Sequence, residues 1–95
     1  MIESFFDEIS RDIYHGKNSR FARKIPQDLH RIVCRKLDMV NSAESIKDLE
    51  VPPGNRLEKL LGQELLWSIR VNEKYRITFK WDNGHAHNVR IWDYH

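Results

Sequence analysis

Leu65-Leu66-Trp67-Ser68-Ile69-Arg70-Val71-Asn72, then Tyr75-Arg76-Ile77-Thr78-Phe79-Lys80-Trp81, then Val89-Arg90-Ile91-Trp92-Asp93-Tyr94-His95: three alternating stretches follow one another to the end of the chain, with short turns between them. Period-two alternation marks a strand with one buried face, so the three predict an antiparallel meander. The buried face dictates the register, because a slip of one residue turns every side chain over. Leu65, Trp67, Ile69 and Val71 must share a side with Tyr75, Ile77, Phe79 and Trp81. Pairing Ile69 with Ile77 achieves this, leaves Asn72-Glu73-Lys74 as the hairpin loop, and sets Arg70 directly across from Arg76 on the other face. The next turn, Asp82-Asn83-Gly84-His85, carries an Asn-Gly hairpin signal. A two-residue loop there sets Arg76 against Ile91. A three-residue loop is therefore expected, pairing Phe79 with Val89 and Ile77 with Ile91 and placing Trp92 beside Arg76.

Working back from the meander, Val51-Pro52-Pro53-Gly54-Asn55 is a connector, since two prolines and a glycine exclude regular structure. Arg56 to Leu60 after it is a weak strand. Pro26 opens a helix with the apolar stripe Leu29, Ile32, Val33, Leu37 and Val40, which Asn41-Ser42 ends. Ser45 to Leu49 forms one more turn. Asp7 to His15 is a first helix stopped by Gly16, and Ile2 to Phe5 a short first strand. The expected fold is α+β, two N-terminal helices packed on one face of a small antiparallel sheet in the order β-α-α-β-β-β-β, with residues 1–95 as a single domain.

A chain of 95 residues hides about 60–65% of its unfolded surface, which means one core. Sixteen Lys+Arg against 14 Asp+Glu is too even a balance to argue for nucleic acid by itself, so the distribution of charge must decide. One cysteine excludes an internal disulfide and suits a reducing compartment. No apolar run approaches the roughly 20 residues of a membrane span, and the acidic N-terminus is unlike a secretory signal. A cytoplasmic protein is expected.

The polar face of the meander reads Arg70, Arg76, Trp92, with Tyr94 a step further. Like charges facing each other in a sheet cost about 0.2–1 kcal/mol. A bound phosphate reverses that, because guanidinium groups grip phosphate oxygens in pairs. Trp92 and Tyr94 add flat surfaces for an unstacked base. The same residues also fit a solvated outer face. Elsewhere, His85 and His87 share a strand face, but two ligands are too few for a metal site. Cys34 in mid-helix reads as a small buried residue before it reads as a nucleophile. Arg20, Arg23 and Lys24 form a basic loop suited to phosphates or simply to water, and Arg31 and Arg35 an exposed helix face.

Pro52-Pro53-Gly54-Asn55-Arg56-Leu57-Glu58, Trp67-Ser68-Ile69-Arg70-Val71-Asn72, Tyr75-Arg76-Ile77-Thr78-Phe79 and the ending Asp93-Tyr94-His95 together resemble the HigB (host-inhibition-of-growth) toxins of the RelE/ParE superfamily. The resemblance covers nearly the whole chain. It implies the RelE-like fold and a ribosome-dependent endonuclease acting on messenger RNA without a metal or other cofactor. The implied partners are the ribosome with its messenger, a helix-turn-helix antitoxin like HigA, and operator DNA reached through that antitoxin. On this resemblance Arg76 stabilises the phosphorane, and His95, Tyr94 and Asp93 carry or orient protons. Arg70, Arg56, Lys59, Lys74 and Trp92 hold RNA. Many relatives carry a lysine just before the glycine matching Gly62, and some a histidine three residues earlier; this chain has Leu61 and Glu58. Two other functions fit the same fold: inhibition of DNA gyrase in the manner of ParE, and a catalytically weak module serving operon autoregulation.

Overall fold

The computed structural model describes residues 1–60 and 66–93. Among them are two α-helices, α1 (Glu8–Tyr14) and α2 (His30–Ser42), and four strands, β1 (Glu58–Lys59), β2 (Leu66–Arg70), β3 (Tyr75–Asp82) and β4 (His85–Asp93). The sheet order is β1-β2-β3-β4, every pair antiparallel. None of these helices is long and apolar enough to cross a membrane.

The first helix begins where its sequence says it should, and the second begins four residues after the expected Pro26. The Asp7 carboxylate accepts the Ser10 N–H at 2.9 Å and so caps α1, and Gly16 at φ +70° turns the chain away after it. Pro26 leads into a 3-10 turn, Gln27–Leu29, that runs straight into α2. Val33, Leu37 and Val40 of α2 and Ile13 of α1 are buried against Ile69, Ile77, Phe79, Val89 and Ile91 of the sheet. Burying each such side chain stabilises the fold by about 1.5–3 kcal/mol before entropy is counted.

The first hairpin has the expected register, Ile69 opposite Ile77 and Arg70 opposite Arg76. Its loop is held by Asn72, whose side-chain oxygen accepts from the backbone N–H of Lys74 (2.9 Å) and Tyr75 (2.7 Å). The second hairpin differs from expectation. Asp82 pairs with His85 across a two-residue turn in which Asn83 (φ +50°) and Gly84 (φ +78°) are both left-handed, the geometry that follows the twist of paired strands. Arg76 nevertheless faces Trp92 and Ile77 faces Ile91. A bulge reconciles the two: the register shifts between Thr78 and Lys80, where Asn88 is the extra residue, with φ +54°. Turn chemistry and core pattern disagree by one residue, and one inserted residue satisfies both.

The N-terminus makes isolated parallel bridges at Ile2–Ala86 and Phe5–Val89 in place of a full first strand. Where this segment leaves for α1, the buried Ser10 hydroxyl accepts the Ile91 N–H at 2.9 Å. The edge of β4 is thus covered.

Candidate active site

Period two puts Leu66, Ser68 and Arg70, Arg76, Thr78 and Lys80, and Arg90 and Trp92 on the face turned away from the helices. Glu58 joins them as the partner of Ser68. Arg76 lies across the middle of this face with its side chain only 14% exposed. Its Nε donates to the Ser68 hydroxyl and its Nη2 to the Arg56 carbonyl at 3.0 Å, and Nη2 is 3.5 Å from Glu58 Oε1. Three partners on two strands and a turn therefore hold one guanidinium in place. Arg70 and Trp92 flank it on neighbouring strands.

The Arg56 carbonyl is available because Arg56 is left-handed, φ +45°, at the end of the Pro53–Asn55 turn. That turn is fastened by Asn55, which is fully buried. Its amide donates to the carbonyls of Leu49 (3.2 Å) and Val51 (3.4 Å), and its oxygen accepts from Lys36 Nζ of α2. Burial, and secondarily the nearby Arg35, lowers the Lys36 pKa. A chain of polar contacts thus runs from the helix layer through the connector to the guanidinium.

On the other side of Arg76, the Trp92 indole N–H donates to the Thr78 hydroxyl at 2.9 Å. Arg90 sits 4.1 Å from the Trp92 ring centre and 4.4 Å from that of Phe6, a cation stacked against two aromatic rings.

The residues expected to form the site from sequence do not all meet here. Arg70, Arg76 and Trp92 share one face. Arg56 reaches Arg76 through its backbone. Lys59 pairs with Trp67, on the helix side of the sheet, and its ammonium lies 6.0 Å from the Trp67 ring, so it stands across the sheet from Arg76. Lys74 lies in the first hairpin loop, 5.5 Å from the Tyr75 ring. Asp93 pairs with Tyr75, out of register with the Arg76–Trp92 row. Tyr94, His95 and Leu61 lie outside the described residues. Glu58, noted above only as a departure from the family pattern, is a carboxylate on Arg76's face, beside its guanidinium. Away from the site, the Cys34 thiol donates to the Ile13 carbonyl at 3.0 Å, and burial, then Asp38, pushes its pKa up, the opposite of what a nucleophile needs. His85 lies 3.2 Å from Glu3.

A family model described as RelE-like toxin of type II toxin-antitoxin system HigB matches residues 3–95. The chain belongs to the HigB-like toxin family. Toxin HigB-1 of Vibrio cholerae is 45% identical over 70 residues, covering 73% of this chain and 74% of the relative. An uncharacterized protein of Haemophilus influenzae is also 45% identical, over 69 residues, 72% of this chain and 68% of the other. A HigB-like toxin of a type II module has an antitoxin as its partner.

Sequence reasoning missed Ser68, Asn55 and Glu58 as partners of this arrangement. Ser68 left a trace, a small hydroxyl among bulky strand formers and opposite Thr78. Asn55 left none, because nothing local distinguishes a buried asparagine from an exposed turn residue.

Proposed function

We propose that this HigB-like toxin is an endoribonuclease that cuts messenger RNA during translation. The ribose 2′-oxygen attacks the adjacent phosphorus, the 5′-oxygen leaves with a proton, and a 2′,3′-cyclic phosphate remains. Arg76 stabilises the charge that develops on the phosphorane, and Arg70 holds the same or a flanking phosphate. The observation that carries this reading is the fixed position of the Arg76 guanidinium between Arg70 and Trp92. A cation held in place before the reaction need not reorganise during it, and one such donor is worth about 10²–10³ in rate.

The base must reach the 2′-OH on the face where the phosphate sits. Glu58 lies on that face with its carboxylate 3.5 Å from Arg76, and we assign it the proton from the 2′-OH. Tyr94 and His95, with Asp93, remain our candidates for returning a proton to the leaving oxygen. The antitoxin is expected to be a helix-turn-helix protein like HigA, through which the toxin reaches operator DNA.

The test is expression of the chain followed by mapping of messenger RNA 5′ ends, with translation running and with translation blocked. Codon-phased cuts that need translation and vanish in Arg76→Ala support the reading. Glu58→Gln should lower kcat by about 10²–10⁴ with KM little changed if the carboxylate is the base. Intact transcripts with blocked DNA supercoiling would instead indicate a gyrase inhibitor. Intact transcripts with operator binding alone would indicate a regulatory module.

A further inference from the structure

A cavity of about 300 Å³ opens on the outer face of the sheet next to Trp92. Phe6, Arg90 and Trp92 wall it, the buried Thr78 and the half-buried Leu66 floor it, and the exposed Lys80 and Asn88 stand at its rim. The wall is built firmly. Arg90 is stacked against both rings and lies 3.7 Å from Asp7, the residue that caps α1, while Trp92 is tied to Thr78. Phe6 is 58% exposed, a large apolar surface held open to solvent.

The position of this cavity ties it to the site. Thr78 and Lys80 follow Arg76 along the outer face of β3 at two-residue steps, each about 6.8 Å. That is the reach of one extended nucleotide. RNA with a phosphate at Arg76 therefore brings a neighbouring base to the opening. Nothing in the phosphate chemistry itself requires an aromatic-walled cavity at that spacing.

We propose that this cavity is a subsite for the nucleobase beside the phosphate held at Arg76, and that it favours guanine. The inference rests on the endoribonuclease reading and adds to it a residue set for base choice. The aromatic wall offers stacking to any base. The rim discriminates. Lys80 has only donors to offer, and guanine presents two adjacent acceptors, O6 and N7, along one edge. Adenine puts the N6 amino donor where guanine has O6, which a lysine cannot accept. Asn88 can pair with either.

The test uses the whole chain labelled with ¹⁵N and titrated with GMP, AMP, CMP and UMP, with inorganic phosphate as the baseline and the Trp92 indole N–H as the reporter. GMP should move that resonance and bind about fivefold more tightly than AMP. Lys80→Ala, a change at an exposed side chain, should remove the advantage and weaken the base preference beside mapped cuts. Four nucleotides that bind alike, or shifts that phosphate alone reproduces, would overturn the proposal. A preference for GMP in a chain that cuts no RNA on ribosomes would leave the subsite standing and sink the nuclease. Arg76-dependent cutting, with binding and cut sites both unaltered in Lys80→Ala, would sink the subsite alone.

Discussion

On the face that meets the helices, Ile69, Ile77 and Ile91 stand in one row across three strands; on the other face, one residue along, Arg70, Arg76 and Trp92 stand in the equivalent row. Both faces hold fully covered positions. Ser68 and Thr78, at 0% and 3% exposure, are buried as deeply as the isoleucines behind them. The means differ. The inner row is covered by α1 and α2 and is stable through apolar area and close packing. The outer hydroxyls are covered by their own neighbours, with Arg76 laid over Ser68 and Trp92 over Thr78, each making a hydrogen bond. A neutral hydrogen bond such as Trp92–Thr78 contributes about 0.5–1.5 kcal/mol, less than a buried isoleucine, and one from a guanidinium such as Arg76–Ser68 about 1.5–3 kcal/mol, no more than a single isoleucine. The inner face therefore carries stability, and the outer face spends its contacts on placing two large side chains.

The deepest break should come on the inner face. Phe79→Ala empties the largest fully buried side chain among the described residues and should cost about 3–5 kcal/mol in urea denaturation. Arg76→Lys tests the opposite face. A lysine cannot bond Ser68, the Arg56 carbonyl and a phosphate together, so cleavage should fall by about a hundredfold or more while the melting curve moves far less than for Phe79→Ala. Equal losses of stability in the two variants would erase the distinction between the faces. Asn55→Ala joins them, because it frees the connector that aims the Arg56 carbonyl. It should lose about 1–3 kcal/mol, leaving Lys36 without its partner, and lower cleavage by more than that loss of folded protein explains. The smallest effect belongs to the bulge. Asn88→Ala places an alanine at φ +54° and should cost about 1 kcal/mol in thermal unfolding, whereas Asn88→Gly should not. If both are silent, the bulge is not what holds Trp92 in register with Arg76.

Much of this was open to a reader of the residues. Alternation located β2, β3 and β4, the apolar match gave Ile69–Ile77 and Ile77–Ile91, and both arginines followed onto one face. The second turn misled that reading. The core pattern asked for three loop residues, Asn83-Gly84 asked for two, and a local rule has no place for an insertion five residues downstream. Lys59 shows another limit. Two residues in a two-residue strand differ only by face, and the pairing of Glu58 with Ser68 decides that the carboxylate, not the ammonium, joins Arg76. Asp93 obeys strict alternation and so falls in register with Tyr75. Asn55 and Arg90 act through partners far away in the chain, Lys36 for one and Phe6 and Asp7 for the other.

By itself the sequence determined the order of the two helices and of the strands that follow them, the buried faces of the helices and the meander, and the sharing of one face by Arg70, Arg76 and Trp92. These depend on periodicity, which is written in neighbouring residues. Only the tertiary structure decided which groups hold Arg76, that Glu58 stands beside it, and that Phe6, Arg90 and Trp92 enclose a cavity. Those are contacts between residues distant along the chain, and a hydrogen bond or a stacked ring is specified by where two segments meet, not by the composition of either.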